Sequence, residues 1–380
     1  MMIIQSKRVY VDHRFIPAQL EIDEGKIFNI LPYNEKKIDI DYGNDRILPG
    51  FYDIHTHGYY GYDTTGGDKE GLIRWMEHLP KEGVCGFCPT TLTQSKKLII
   101  ESLKTVVEVK KQKLEGTQIL GVHLEGPFIN TKYKGAQPEK YIIAPSIEIF
   151  DEFQDAARGL IKIVTLAPEM DKNFELISYL YFKGVNPSIG HTDATYETCM
   201  KAIENGARGY THTYNAMSPF THRKNGAVGA AFNSENTYAE IIGDGVHSTF
   251  DAIRIFFKQK GMYGIMVTDS LLTKGLPPGT RTKFGGQVIE NYPDGSAHLV
   301  DGKKSLAGST LKFNEGLRNL IEYAHVPTKQ AIAAVSENPA KYLGLGNHKG
   351  KIKESYDCDL VVLDDDYHVI QTYCQGKAML

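Results

Sequence analysis

Residues 49–58 read Pro-Gly-Phe-Tyr-Asp-Ile-His-Thr-His-Gly, and this segment decides how the rest of the chain is interpreted. It predicts a strand, in which alternate side chains point to the same side. His55 and His57 are therefore expected to lie together at its end, where Gly58 lets the chain turn. Two adjacent imidazoles suit a divalent metal better than an apolar core. A surface pair would give the same pattern, so the interpretation depends on residues further along the chain.

The composition excludes several classes of protein. The chain has 380 residues, 41% of them hydrophobic, which is enough for a large domain plus a smaller one. Its formal net charge is −3 and no basic block is visible, so we expect no nucleic-acid partner. No signal peptide or membrane-spanning stretch is recognisable, and five cysteines argue against a disulfide framework. We therefore expect a cytoplasmic protein with no membrane partner.

From residue 51 onward, short apolar runs alternate with helical patterns, which is typical of βα units and a parallel sheet. Eight runs are expected to be strands, at residues 51–55, 84–90, 119–125, 161–167, 186–191, 209–212, 239–244 and 264–269. They predict an α/β protein with a (β/α)₈ TIM-like barrel, whose active site lies at the carboxyl ends of the strands. A hairpin-like stretch turning at residues 293–295 is expected to lie over the barrel mouth.

The two ends of the chain predict a second, smaller domain. Residues 1–48 read as short β-segments, and further β-like segments lie at 359–363 and 369–373. We expect them to pair, with residues 1–48 and 347–380 forming a composite β-domain and residues 49–346 forming the barrel.

Residues of metal-ligand type stand at the ends of five of the eight predicted strands. They are His55, His57, Glu125, His191, His212 and Asp269. One charged residue at a strand end is ordinary, because it can cap a helix or bond a loop. Six at the same end of a barrel instead predict a metal site. Bound water then becomes a nucleophile, and an aspartate beside it can move the proton to a leaving nitrogen, so we expect amide hydrolysis.

Seven motifs occur in the order GFYDIHTHG, HLEGPF, GHTDA, THTYNAMSPFTHR, GDGVH, VTDS and LAGST. Together they resemble the N-acetylglucosamine-6-phosphate deacetylases, a family of the amidohydrolase superfamily. The resemblance implies that the terminal β-domain is a small β-sandwich. It also implies hydrolysis of the acetamide of N-acetyl-D-glucosamine 6-phosphate to D-glucosamine 6-phosphate and acetate, a step of amino-sugar catabolism.

The resemblance further implies a role for each site residue. His55, His57, Glu125 and Asp269 would hold one divalent metal, with Asp269 as general base and then acid. Glu125 would be shared with a second metal held by two more histidines, His191 and His212. Zn, Fe, Mn and Co all accept such ligands. The residues implied to bind substrate are Ala136, Gln137, Asn215, Ala216, Arg223, His247, Leu306, Ala307 and Gly308.

Two of these residues carry separate expectations. Gln137 stands where several relatives have a histidine thought to polarise the substrate carbonyl, and its amide can donate a hydrogen bond without titrating. The family's equivalent of Arg223 reaches across a homodimer interface to the partner's phosphate. We therefore expect a homodimer in which Arg223 acts in trans.

Three alternatives stay open from the sequence. The substrate could be another N-acetylated amino sugar, such as N-acetylgalactosamine 6-phosphate. The protein could be a different amidohydrolase, although many of those bridge two metals with a lysine of the fourth strand, where only Lys162 lies near the start. It could also be a scaffold without catalysis, although none of the expected metal ligands is missing.

Cys85 and Cys88 have redox-pair spacing but lie inside the second run, so we expect them to pack in the core.

Overall fold

The computed structural model describes residues 1–300 and 305–380. Eight strands pair in parallel, in the order of the chain, to form a nearly closed barrel. They are Phe51–Thr56, Val84–Thr91, Val122–Glu125, Ile161–Leu166, Asn186–Ile189, Gly209–Tyr210, Tyr238–Ile242 and Gly264–Val267. Each predicted run overlaps one of them, so the predicted TIM-like barrel is confirmed. A short strand, Gln118–Ile119, also pairs with the second barrel strand.

Helices lie between and after the barrel strands. They are Lys69–His78, Lys96–Lys111, Ile147–Ala156, Glu175–Phe182, Tyr196–Glu204, Gly226–Asn233, Phe250–Lys260, Phe313–Arg318, Thr328–Val335 and Glu337–Tyr342. The sequence sets where several begin, because Ser95 and Thr249 each accept a hydrogen bond from a backbone N–H of the first turn. Helix Lys96–Lys111 buries Ile99, Leu103 and Val106, which share one face. No helix in the described part of the chain has the length and apolar character to cross a bilayer.

The second barrel strand, Val84–Thr91, is buried along its whole length. Cys85 and Cys88 are free thiols in two different apolar clusters, one with Tyr52 and the other with Ile54. They pack in the core, as expected.

Both ends of the chain contribute to one further sheet. Its strands are Met2–Val11, Arg14–Asp23, Lys26–Pro32, Ile40–Asp41 and Arg46–Pro49 from the start of the chain, with Leu360–Leu363, Val369–Cys374 and Lys377–Ala378 from its end. Strand Arg46–Pro49 joins the two sets, because it pairs in parallel with the first strand and antiparallel with Leu360–Leu363. The predicted pairing of the chain ends is confirmed. The domain boundaries at residues 48 and 347 stay a prediction.

A four-stranded antiparallel sheet is inserted after the eighth barrel strand. Its strands are Arg281–Phe284, Gln287–Asn291, Ser296–Leu299 and Leu306–Ser309. The predicted hairpin is present, since the second and third of these strands pair across residues 292–295. Leu271 N donates to Ser309 O at 3.0 Å, which fastens the inserted sheet to the chain just after the eighth barrel strand.

A buried group of charges joins the terminal sheet to the barrel. Lys349 Nζ lies 2.7 Å from Asp359 Oδ2 and 2.9 Å from Asp357 Oδ2. Asp359 Oδ2 also accepts a hydrogen bond of 2.9 Å from the hydroxyl of Tyr52 in the first barrel strand. Because Lys349 and Asp359 are both buried, the ammonium group is the main compensation for a carboxylate removed from water.

We expect Lys349→Met to lower the free energy of unfolding by about 3–5 kcal/mol, because it leaves the Asp359 carboxylate buried without its cation. Denaturant unfolding monitored by circular dichroism measures the loss. Lys26→Met is the matched control, since Lys26 also pairs with Asp357, at 3.5 Å, but is about half exposed. The control should lose less than about 1 kcal/mol. Equal losses in the two variants would contradict a stabilising role for the buried pair.

Candidate active site

The predicted metal ligands converge at the carboxyl end of the barrel strands, around the carboxylate of Glu125. Glu125 is the last residue of the third strand and is buried. Its Oε1 lies 3.3 Å from His55 Nε2, 3.2 Å from His191 Nε2 and 3.1 Å from His212 Nε2. Its Oε2 lies 3.3 Å from His57 Nε2. One carboxylate thus contacts four imidazoles that come from three other strands.

Asp269 completes this group beside the first strand. Its Oδ1 lies 3.2 Å from His57 Nε2 and 3.5 Å from His55 Nε2. Its backbone N–H donates to His55 O at 2.9 Å, and its carbonyl accepts from Ser309 N at 2.9 Å. Asp269 is therefore held between the first strand and the inserted sheet. Gly308 permits this approach, because a Cβ there would lie 3.0 Å from Asp269 O and the φ angle is +135°.

The spacing of the donor atoms fits divalent metals. The Nε2 atoms of His191 and His212 are 3.2 Å apart. Two nitrogens on one tetrahedral zinc, each at about 2.0–2.1 Å, would be separated by about 3.3–3.4 Å. Ligand atoms of His55, His57 and Glu125 form one close group, and those of Glu125 with the last two histidines form another. The donor set can therefore hold two ions that share one carboxylate.

Hydrogen bonds orient two of these imidazoles and place a hydrogen on Nδ1 of each. His55 Nδ1 lies 2.9 Å from Glu240 Oε2, and His191 Nδ1 lies 2.8 Å from Tyr133 O. A carboxylate or a carbonyl only accepts, so both Nδ1 atoms carry the hydrogen and donate it. Each Nε2 atom faces Glu125, and that of His55 is buried without a hydrogen bond. A neutral ring would aim a lone pair at the carboxylate, which is unfavourable unless a cation lies between them, as it does in a metal site.

The backbone at three ligands adopts a strained conformation. The φ angles are +47° at His191, +29° at His212 and +46° at Asp269. Non-glycine residues rarely take positive φ, at a cost on the order of 1–3 kcal/mol each, and such residues cluster at functional sites. The strain turns each side chain inward where its strand ends.

The surrounding charges keep both carboxylates ionised. Burial would raise the pKa of Glu125, but the neighbouring imidazoles, His55 and His191 foremost, hold that pKa well below its usual range. Burial likewise opposes ionisation of Asp269, while His55 and His57 hold its pKa below the usual value. Both carboxylates are therefore ionised and able to bind a cation.

Glu240 and His123 also belong to the site, although the sequence interpretation missed them. Glu240, in the seventh strand, accepts from His55 and from the backbone N–H of His212 at 3.3 Å. The His123 ring lies 4.5 Å from that of His55, and burial holds its pKa well below the usual value, so it is neutral. The available signal was the acidic residue in the otherwise apolar first part of the seventh run, residues 239–242.

An open cavity of about 580 Å³ reaches this group from the barrel mouth. Eight of the nine predicted substrate residues line it, namely Ala136, Gln137, Asn215, Ala216, His247, Leu306, Ala307 and Gly308. Arg223 does not, because it lies on an exposed loop at residues 221–225. Among the described residues it has no ion-pair partner.

Gln137 is oriented by two hydrogen bonds. Its Oε1 accepts from Thr93 N at 2.7 Å, which fixes the orientation of the amide because a backbone N–H only donates. Its Nε2 then donates to Glu125 Oε2 at 2.5 Å. The amide therefore steadies the carboxylate of Glu125.

A family model described as "Amidohydrolase family" matches residues 46–379. The chain belongs to the amidohydrolase family. This amidohydrolase is 41% identical over 366 residues to N-acetylglucosamine-6-phosphate deacetylase of Bacillus subtilis, covering 94% of this chain and 91% of that protein. It is 30% identical over 376 residues to N-acetylgalactosamine-6-phosphate deacetylase of Escherichia coli O157:H7, covering 99% of this chain and 98% of that protein.

Solved structures agree with this assignment. A variant of N-acetyl-D-glucosamine-6-phosphate deacetylase from Mycobacterium smegmatis, in complex with N-acetyl-D-glucosamine-6-phosphate, gives a TM-score of 0.94 at 26% identity, covering 100% of this chain and 99% of that one. N-acetylglucosamine-6-phosphate deacetylase from Thermotoga maritima gives a TM-score of 0.89 at 32% identity, covering 100% of this chain and 99% of that one. The predicted resemblance of the amidohydrolase to these deacetylases is confirmed.

We expect Glu240→Gln to weaken binding of divalent metal by about 10–100-fold, because the amide still accepts a hydrogen bond from His55 but carries no charge. Glu240→Ala should weaken metal binding further, because it also removes the hydrogen-bond acceptor. Metal content after dialysis at a series of free Zn²⁺ concentrations measures both effects.

Glu337→Gln is the control for losing a buried charge, since Glu337 pairs with Lys341 and Lys351 and does not line the cavity. Zinc titration curves of Glu240→Gln that coincide with those of the unmodified protein would show that Glu240 does not support the ligands.

Proposed function

We propose that the protein hydrolyses the acetamide of N-acetyl-D-glucosamine 6-phosphate to D-glucosamine 6-phosphate and acetate. The observation that carries the proposal is the position of Asp269, whose carboxylate lies within 3.5 Å of two imidazoles and borders the cavity. An ionised carboxylate beside a metal-ligand group suits proton transfer during amide hydrolysis. The choice of substrate follows the relatives of this amidohydrolase, which are named as N-acetylglucosamine-6-phosphate deacetylases.

We further propose that two divalent ions bind in each subunit. His55, His57, Glu125 and Asp269 would hold one, and Glu125 with two more histidines, His191 and His212, the other. Zn, Fe, Mn and Co suit these nitrogen and oxygen donors, and availability decides among them. A bound ion would polarise the amide carbonyl and activate water near neutral pH.

Within this proposal, Asp269 moves the proton. It takes one from the attacking water and gives it to the amide nitrogen as the bond to carbon breaks, which releases acetate and the free amine. Its low pKa keeps it ionised before the reaction, as a base requires. Its two backbone hydrogen bonds limit its movement between the two transfers.

The polar side of the cavity is proposed to hold the sugar. Asn215 and His247 line it together with the backbone at Leu306–Gly308. Asp244 fixes the His247 ring through a 2.6 Å contact to Nδ1. Burial would lower the pKa of His247, but the bond to Asp244 raises it, which favours a cation suited to an anionic ligand.

We propose that Arg223 binds the phosphate of the partner's substrate in a homodimer. A phosphate dianion suits the paired N–H donors of an arginine. The support is that Arg223 is exposed and lies outside the cavity of its own chain. We also propose that the enzyme works in the cytoplasm, since its five cysteines are free thiols.

A second candidate substrate is N-acetylgalactosamine 6-phosphate, favoured by the 30% identical relative that carries that name. Acetate release from N-acetylglucosamine and N-acetylgalactosamine, each with and without a 6-phosphate, separates the candidates. We expect the phosphorylated gluco epimer to have the highest kcat/KM. Release from neither phosphorylated sugar by the metal-loaded protein would refute the proposed function, and a preference for the galacto epimer would select the second candidate.

We expect Asp269→Asn to retain metal and to lose at least about 100-fold in kcat, because an amide cannot carry the proton. Elemental analysis and acetate release on the same sample measure both quantities. Loss of less than about tenfold, with metal retained, would remove Asp269 from the proton-transfer role.

We expect Arg223→Ala to raise KM for the phosphorylated sugar far more than for its unphosphorylated analogue. Mixing Arg223→Ala with Asp269→Asn subunits gives the sharper test, because a mixed dimer holds one site with both residues intact. Activity should reappear on subunit exchange. Lys224→Ala, on the same exposed loop, is the control. Exchange without recovery, or an active protein that is strictly monomeric, would rule out the trans arrangement.

A further inference from the structure

One side of the active-site cavity is apolar, and the inserted sheet supplies part of it. Leu92, Ala136 and Phe284 line the cavity and are nearly buried. They pack in one cluster with Leu271 and Ile289, so this wall is the inner edge of the small core beneath the inserted sheet. The sequence interpretation assigned no role to Leu92 or Phe284.

This apolar wall, made of Leu92, Ala136 and Phe284, borders the reacting groups. The Phe284 ring lies 5.6 Å from the His57 ring in an edge-on arrangement. His57 Nε2 is in turn 3.2 Å from Asp269 Oδ1. His57 thus lies between Asp269 and Phe284, so an acyl chain on a carbonyl carbon beside Asp269 would be close to the wall.

The wall is held tightly on its outer side. Gln287 Nε2 donates to Ala136 O at 2.7 Å, and Leu92 N donates to Thr65 Oγ1 at 2.8 Å. A Cβ placed on Gly285 would lie 2.5 Å from Leu92 Cδ2, so the chain beside Phe284 already contacts Leu92 closely. Close packing of this kind resists the insertion of extra methylene groups.

The two substituents of the reacting amide require different surroundings, one polar and the other apolar. The nitrogen carries a sugar with hydroxyl groups and a phosphate, which require polar partners. Asn215 and His247 provide them elsewhere in the cavity. The acyl chain has no polar group beyond its carbonyl, so the apolar wall is the side left for it.

We propose, building on the proposed deacetylase function, that Leu92 and Phe284 receive the methyl group of the substrate and restrict the enzyme to short acyl chains. The wall then determines which N-acyl amino sugars are hydrolysed. Acetyl fits against the two side chains, whereas each further methylene must displace one of them. Pockets of this kind discriminate about 10–200-fold per methylene.

The test compares N-formyl, N-acetyl, N-propionyl and N-butyryl glucosamine 6-phosphate, with release of the free amine as the common measurement. The unmodified enzyme should favour acetyl over propionyl by at least about tenfold in kcat/KM. Phe284→Ala should raise the ratio of propionyl to acetyl activity by about tenfold or more. Phe284→Leu and Leu92→Ala should each raise it by less.

Phe256→Ala is the matched control, because Phe256 is equally buried but lies on helix Phe250–Lys260 and does not line the cavity. It should leave the ratio unchanged. Partial misfolding lowers both activities of a variant together, so the ratio reports the wall itself. A propionyl-to-acetyl ratio unchanged in all three wall variants would overturn the proposal while leaving the deacetylase function intact. An unmodified enzyme that releases amine from none of the four compounds would overturn both.

Discussion

The carboxylate of Glu125 is the contact on which the candidate site depends. Four imidazoles lie within 3.3 Å of its two oxygens, and Gln137 donates to it as well. So many groups around one buried carboxylate would be unfavourable unless the imidazoles were protonated or metal ions lay between them. The spacing of the Nε2 atoms favours the second explanation, because those of His191 and His212 are 3.2 Å apart, close to the separation of two nitrogens on one zinc ion.

The barrel makes this convergence possible. Residues far apart in the chain meet because parallel strands bring their carboxyl ends to one rim. Asp269 reaches the first strand through its backbone bond to His55, and Glu240 links His55 to the backbone of His212. The positive φ angles at His212 and Asp269 are tolerated because these bonds hold the chain in place. The inserted sheet supports the same rim through Ser309 and supplies Phe284 to the apolar wall of the cavity.

The sequence predicted the barrel and six of the central residues because each ligand stands where an apolar run ends, a local pattern that needs no three-dimensional information. It missed Glu240 because that residue lies within a strand, and its partner His55 is 185 residues away. Gln137 was expected to bind substrate and lines the cavity, but its hydrogen bonds to Thr93 and Glu125 could not be foreseen. Phe284 became visible only when the inserted sheet was seen to border His57. Contacts between separate segments decide these three cases, and no local pattern encodes them.

The central claim is that Glu125 is shared by two ions, and anomalous diffraction from crystals of the zinc-loaded protein tests it most directly. The account predicts two peaks at the zinc edge, about 3.5–4 Å apart, with one oxygen of Glu125 or its whole carboxylate between them. One peak should contact His55 and His57, and the other His191 and His212. A single peak at full zinc loading, or two peaks of which only one contacts Glu125, would contradict it.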